Sequence, residues 1–210
     1  MRILIVHNIL NDSVSVSGVL KHYAFMANEW IAAGHQTDFV VAKAGFPQLR
    51  QLAPKAGLLS SDGIFDATKN LSKTWQNMPA FLYRMWNSHW LRLSEKYDIV
   101  YASGPFIFEV YAARTLARRL RVKWVAKVQH VLHSQPKRHG LFNRMFLHSE
   151  RVSTRWMNRQ AAAVMCLSGV VQEDYQKLEK ELGLTPSESI QVGCGVDCAG
   201  RRAYPGGRAR

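Results

Sequence analysis

The sequence predicts an α/β fold built on a single doubly wound parallel sheet, and three observations predict it. Short apolar runs of strand length recur along the chain, most of them are followed by a longer segment with apolar residues at helical spacing, and glycines close some of those segments. Alternation of this kind is the pattern from which parallel sheets are wound, and it puts binding groups at the carboxyl ends of the strands. With 210 residues there is room for one such core, not for two side by side.

Residues 2–7 form a β-branched run that ends in the turn-prone stretch 8–17, which suits a buried first strand and a long loop. A helix is expected from Gly18 to about Ala33, because Leu20, Tyr23, Ala24, Ala27, Trp30 and Ile31 recur at helical spacing and Gly34 supplies the stop. Residues 37–41 read as the second strand. A short helix over 48–53 and a strand near 57–59 follow.

From Asp66 to Glu95 the pattern is mostly helical, is interrupted at Pro79, and carries Trp75, Phe81, Tyr83, Trp86 and Trp90. Core packing is expected for most of these aromatics. The alternative is an interfacial membrane element, since tryptophan favours the headgroup boundary.

Residues 98–101 then read as a strand, 106–120 as a helix, 123–128 as a strand and 130–139 as a polar loop. A long basic helix over 141–161, a strand over 163–167, a helix over 170–182 closed by Gly183, and a short strand over 189–192 complete the alternation. Beyond Asp197 the chain turns rich in glycine and arginine without periodic apolar residues. The expected organisation is therefore a domain over 1–197 and a disordered tail over 198–210, an ending that reads as a truncation.

The formal net charge is +13 and the sequence pI is near 10.0. The excess is concentrated between Arg114 and Arg159, where Glu150 is the only acid. Such a surface attracts phosphate groups, whether on lipids, nucleotides or nucleic acids. No recognised nucleic-acid motif is present, so a specific nucleic-acid partner is not expected. Three cysteines, Cys166, Cys194 and Cys198, make neither an even disulfide framework nor a zinc spacing, and Cys166 lies in a buried strand pattern; a reducing cytoplasm is the expected compartment. The apolar start is too short for a signal segment and no later run is long enough to cross a bilayer, so any membrane contact is expected to be peripheral.

A dinucleotide fingerprint would place Gly-x-Gly-x-x-Gly directly after the first strand, but the first glycine there is Gly18, which disfavours a nicotinamide or flavin cofactor. Ser17 and Gly18 stand at the mouth of the first helix. Amides at a helix start favour anions and glycine permits close approach, yet Ser17 is equally readable as a plain N-cap. His130 and His133, with His139 nearby, fit no closed zinc site, and no metal is expected. His130 nevertheless falls just past the carboxyl end of the strand over 123–128, where open α/β sheets place ligands and where a histidine can donate hydrogen bonds or hold a proton.

These pieces resemble the family 4 glycosyltransferases of GT-B fold over essentially residues 1–197. The residues carrying the resemblance are the strand over 2–7, the loop Ser17-Gly18-Val19, the Ala33-Gly34-His35 helix end, Val128-Gln129-His130, the strand and serine over 162–168, and Gly195-Val196-Asp197. The chain departs from the family in having Ser17-Gly18 where paired glycines are frequent and Gly193-Cys194 where Pro-Asn is. The resemblance implies a single Rossmann-like domain forming the acceptor-side, N-terminal half of a two-domain enzyme, with the C-terminal donor domain missing. It further implies metal-independent, retaining transfer of a sugar from a nucleotide-sugar donor to an acceptor hydroxyl. In that scheme Gly18 lets the first loop approach donor phosphates or acceptor, and His130 hydrogen-bonds the transferring sugar. A non-catalytic anion-binding or membrane-surface domain on the same scaffold is the other reading.

Overall fold

Residues 1–8, 18–62, 77–93, 95–134 and 140–192 are described by the computed structural model. The apolar runs form strands β1 (Arg2–His7), β2 (Gln36–Val41), β3 (Gly57–Ser60), β4 (Ile99–Ala102), β5 (Lys123–Val128), β6 (Ala163–Cys166) and β7 (Ser189–Gln191). They make one sheet in the order β3-β2-β1-β4-β5-β6-β7, and every neighbouring pair is parallel. The intervening helices are α1 (Gly18–Ala32), α2 (Phe46–Leu52), α3 (Met78–Asn87), α4 (Ile107–Leu120), α5 (Leu141–Gln160) and α6 (Gly169–Glu181).

Strand β1 is central and almost wholly apolar because both of its faces are covered. Ile3 and Ile5 pack with Leu20, Tyr23, Ala24 and Ala27 of α1, whereas Leu4 and Val6 point the other way into a core shared with α4, α5 and α6. Alternation along one strand therefore feeds two cores, the signature of a doubly wound sheet. The stops read from the sequence are present. Gly34 and Gly183 adopt φ of +85° and +69°, the left-handed region that glycine enters without strain. Helix α6 starts on Ser168, whose side chain accepts a hydrogen bond from Val171 N at 3.3 Å.

Three expectations are corrected. Helix α3 ends at Asn87, well short of Glu95; Pro79 lies in its first turn, where its missing N–H would have had no partner anyway, and residues 63–76 before it lie outside the described residues. Core packing holds for Phe81, which is fully buried, but Trp86 and Trp90 are 53% and 61% exposed. Finally, the basic run is not wholly a surface feature. Strand alternation turns Lys127 inward from β5, and it is fully buried. The expected tail over 198–210, Gly195-Val196-Asp197, Trp75 and Ser17 lie outside the described residues.

Candidate functional site

Strand order creates one crevice. The chain leaves β1 for β2 on one side of the sheet, while β4 pairs on the other side, so the connections from β1 and β4 diverge to opposite faces. Ligands of open α/β sheets bind outside the carboxyl ends of strands at such a switch point. Here those ends carry His7 and Asn8 from β1 and Ser103 from β4, with the end of β5 beside them.

The side chains there are tied together across long stretches of sequence. His7 Nδ1 lies 2.7 Å from Ser103 Oγ, and the His7 ring stands 5.7 Å from that of Tyr23. Tyr23, on α1, donates its hydroxyl proton to the Ser103 carbonyl. Gln129, just past β5, donates from Nε2 to Tyr23 Oη at 2.7 Å and to the Ser103 carbonyl at 3.2 Å. One amide and one phenol thus fix the relative positions of α1 and the ends of β4 and β5.

Two histidines at this end of the sheet, His7 and His22, are kept uncharged. Burial pushes the His7 imidazole down to about 4, so it is neutral at physiological pH. Burial, and then the neighbouring Lys127 ammonium, push His22 down to about 4 as well. Lys127 Nζ donates to His22 Nε2, which therefore carries its ring proton on Nδ1, and the same ammonium stands 5.8 Å from the centroid of the Tyr23 ring.

His130 is half-buried in the loop directly after β5, with its ring 5.9 Å from the Phe106 ring at the mouth of α4. Gly18 opens α1, one turn ahead of His22 and Tyr23, and so belongs to the same end of the sheet. The loop carrying His130 is pinned from below. Glu150 of α5, 1% exposed, accepts from Leu132 N at 2.6 Å and His133 N at 3.0 Å. His133 is engaged away from the crevice, with Nε2 3.1 Å from Arg151 and 3.4 Å from Glu181. Among the described residues no group of three or more histidines, cysteines and acids is placed to hold a metal ion.

His7, Ser103, Tyr23 and Gln129 were not picked out as site residues by sequence, although Gln129 lies in the Val128-Gln129-His130 stretch and Tyr23 in the periodicity of α1. His7 ends the first predicted strand and could have been found by the rule that selected His130; the others join it only through strand order.

The fold defines an α/β domain with a doubly wound parallel sheet and polar groups at the carboxyl ends of its strands. Residues 17–180 match the family described as glycosyl transferase 4-like domain, so the chain belongs to that family. No curated protein sequence matches it.

Among solved structures, HepE of Anabaena in complex with UDP and glucose superposes with a TM-score of 0.56 at 16% identity, covering 94% of this chain and 45% of that one. The calicheamicin glycosyltransferase CalG4 gives 0.53 at 13% identity over 93% of this chain and 53% of its own. The kitacinnamycin glycosyltransferase gives 0.53 at 12%, over 100% and 54%. At these identities the likeness is one of fold, the Rossmann-like arrangement of GT-B glycosyltransferases. The chain spans about half the length of these structures.

Proposed function

We propose that the chain is the acceptor-side half of a nucleotide-sugar glycosyltransferase that transfers the sugar with retention and without a metal. The observation that carries this reading is the family match over residues 17–180, laid on a parallel sheet whose switch point sets the ends of β1, β4 and β5 side by side, with His130 in the loop directly after β5. UDP and glucose in the HepE complex support a nucleotide-sugar donor. In this reading Ser17 and Gly18 let the α1 start approach donor phosphates or acceptor, since helix-start amides favour anions. His130 hydrogen-bonds the transferring sugar, positioning it where positive charge develops at the anomeric carbon.

The donor's diphosphate leaves from a cleft between two domains, and these 210 residues supply one wall. Without preorganised donors around the departing diphosphate the half-site presents water, so the chain alone does not turn over. Purified chain should release no nucleoside diphosphate from a panel of nucleotide-sugars and acceptors, and activity should appear when a donor-side domain is joined to it. In the joined protein, His130→Ala should lower kcat with little change in thermal midpoint. Turnover by the isolated monomer would overturn the division of labour, and full activity of the His130 variant would overturn its role.

The buried thiol of Cys166 fits a reducing cytoplasm. Among the described residues no helix is long and apolar enough to cross a membrane. Peripheral contact with an anionic membrane face belongs to the same proposal. It is supported by α5, where Arg144, His148, Arg151, Arg155 and Arg159 recur at helical spacing on the side opposite the buried Ser153 and Met157.

A further inference from the structure

Helix α3 buries Ala80 and Phe81 against the core and still carries large apolar residues on its outward side. Its inward side carries Arg84, 9% exposed, whose Nε donates to Asp62 Oδ1 at 2.7 Å and whose Nη1 reaches the Asn8 carbonyl at 3.4 Å. Its outward side carries Leu82 and Trp86, and Trp90 follows in the next turn; they are 47%, 53% and 61% exposed. Steps of four residues align the three in one stripe, with the two indole rings 5.6 Å apart.

The stripe is held firmly. Arg119 of α4 donates to the Ser88 carbonyl at 2.6 Å and the Leu91 carbonyl at 3.0 Å, which caps the end of α3. His89 Nε2 lies 2.8 Å from the Tyr111 hydroxyl. Large apolar rings kept in water by such contacts indicate a surface with a partner.

Charge selects the partner. Arg84 and Asn87 tie α3 to the Asn8 and Ser61 carbonyls just past β1 and β3, and Arg119 in the last turn of α4 holds the segment that follows, so the stripe lies on the outer side of α3 beside α4. Along α3, α4 and α5 the acids are Glu109 and Glu150, and both are 1% exposed. The outer surface of α3, α4 and α5 is therefore aromatic and cationic, with Arg118 exposed on α4, Arg92 exposed beyond α3, and the arginine stripe on α5. A second copy would bring like charges together. An anionic bilayer supplies a boundary layer for indole rings and phosphates for guanidinium groups.

We propose that α3 is an interfacial anchor, with Leu82, Trp86 and Trp90 entering the headgroup region of an anionic membrane while arginines of α4 and α5 lie against its phosphates. This rests on the peripheral-membrane reading above and names the residues that enter the lipid.

The test is co-sedimentation of the 210-residue chain with phosphatidylglycerol-containing and pure phosphatidylcholine vesicles, together with quenching of tryptophan emission by bromine-labelled lipid. Anionic vesicles should bind the chain and brominated lipid should quench it. The Trp86→Ser/Trp90→Ser variant, with an unchanged circular dichroism spectrum, should bind at least about tenfold more weakly and lose the quenching. Anionic binding with neither quenching nor dependence on the two tryptophans would overturn the anchor and leave the membrane reading standing. Absence of vesicle binding would overturn both. Self-association or RNA binding that depends on the two tryptophans, without vesicle binding, would replace lipid as the partner and also overturn the proposal.

Discussion

Lowering the pH should destabilise this domain through His7 well before its carboxylates titrate. His7 is fully buried against Ser103 and Tyr23, and burial holds its folded pKa near 4 against 6.5 for a free imidazole. The unfolded chain therefore binds the proton more readily. For a depressed pKa, the stability is present above the unfolded value and is lost as pH falls toward the folded one. Linkage with these two values gives a loss of about 2 kcal/mol between pH 7 and pH 5, rising to about 3 kcal/mol by pH 4. Against a typical domain stability of roughly 5–15 kcal/mol the effect is readily measured. His22 changes stability in the same direction, by less, because it is only partly buried. The assay is urea unfolding of wild type and His7→Asn at several pH values. The variant loses packing at every pH, but its curve should lack the His7 slope, so the difference between the two proteins should shrink by about 2 kcal/mol on going from pH 7 to pH 5. Parallel stability curves would refute a buried, neutral His7.

Gly57→Ala should destabilise by about 2–3 kcal/mol by urea unfolding, through overpacking. The new Cβ would stand 2.1 Å from Asp38 Oδ1, and Asp38 is held by Arg2 at 3.0 Å and Tyr97 at 2.7 Å. Glu150→Ala should speed hydrogen exchange at the Leu132 and His133 amides, which lose their acceptor, while β1 amides keep their relative protection. The Cys166 thiol, pushed up to about 11 by burial, should resist maleimide in the native chain and react after denaturation, read by peptide mass spectrometry.

Elements whose determinants are local were legible in the chain. Strand β1, the stops at Gly34 and Gly183, and the periodicity of α4 each depend on residues within a few turns of one another. Pro79 marks the start of α3, a place that its fixed φ and missing N–H suit, whereas the end at Asn87 was not legible because the helical spacing of Trp86 and Trp90 runs past it.

Sequence by itself determined the fold class, the family resemblance, and the place of His130 beyond the end of a strand. Tertiary structure alone decided that β1 lies beside β4, that His7 meets Ser103 across 96 positions, and that Gln129 reaches Tyr23 across 106. It also decided that Trp86 and Trp90 face outward while Lys127 faces in. The physical reason is that hydrophobic periodicity states which residues share a face of an element, but not what that face is set against. A strand's neighbour, and a helix's covered side, are fixed by contacts between residues far apart in sequence, which no local pattern encodes.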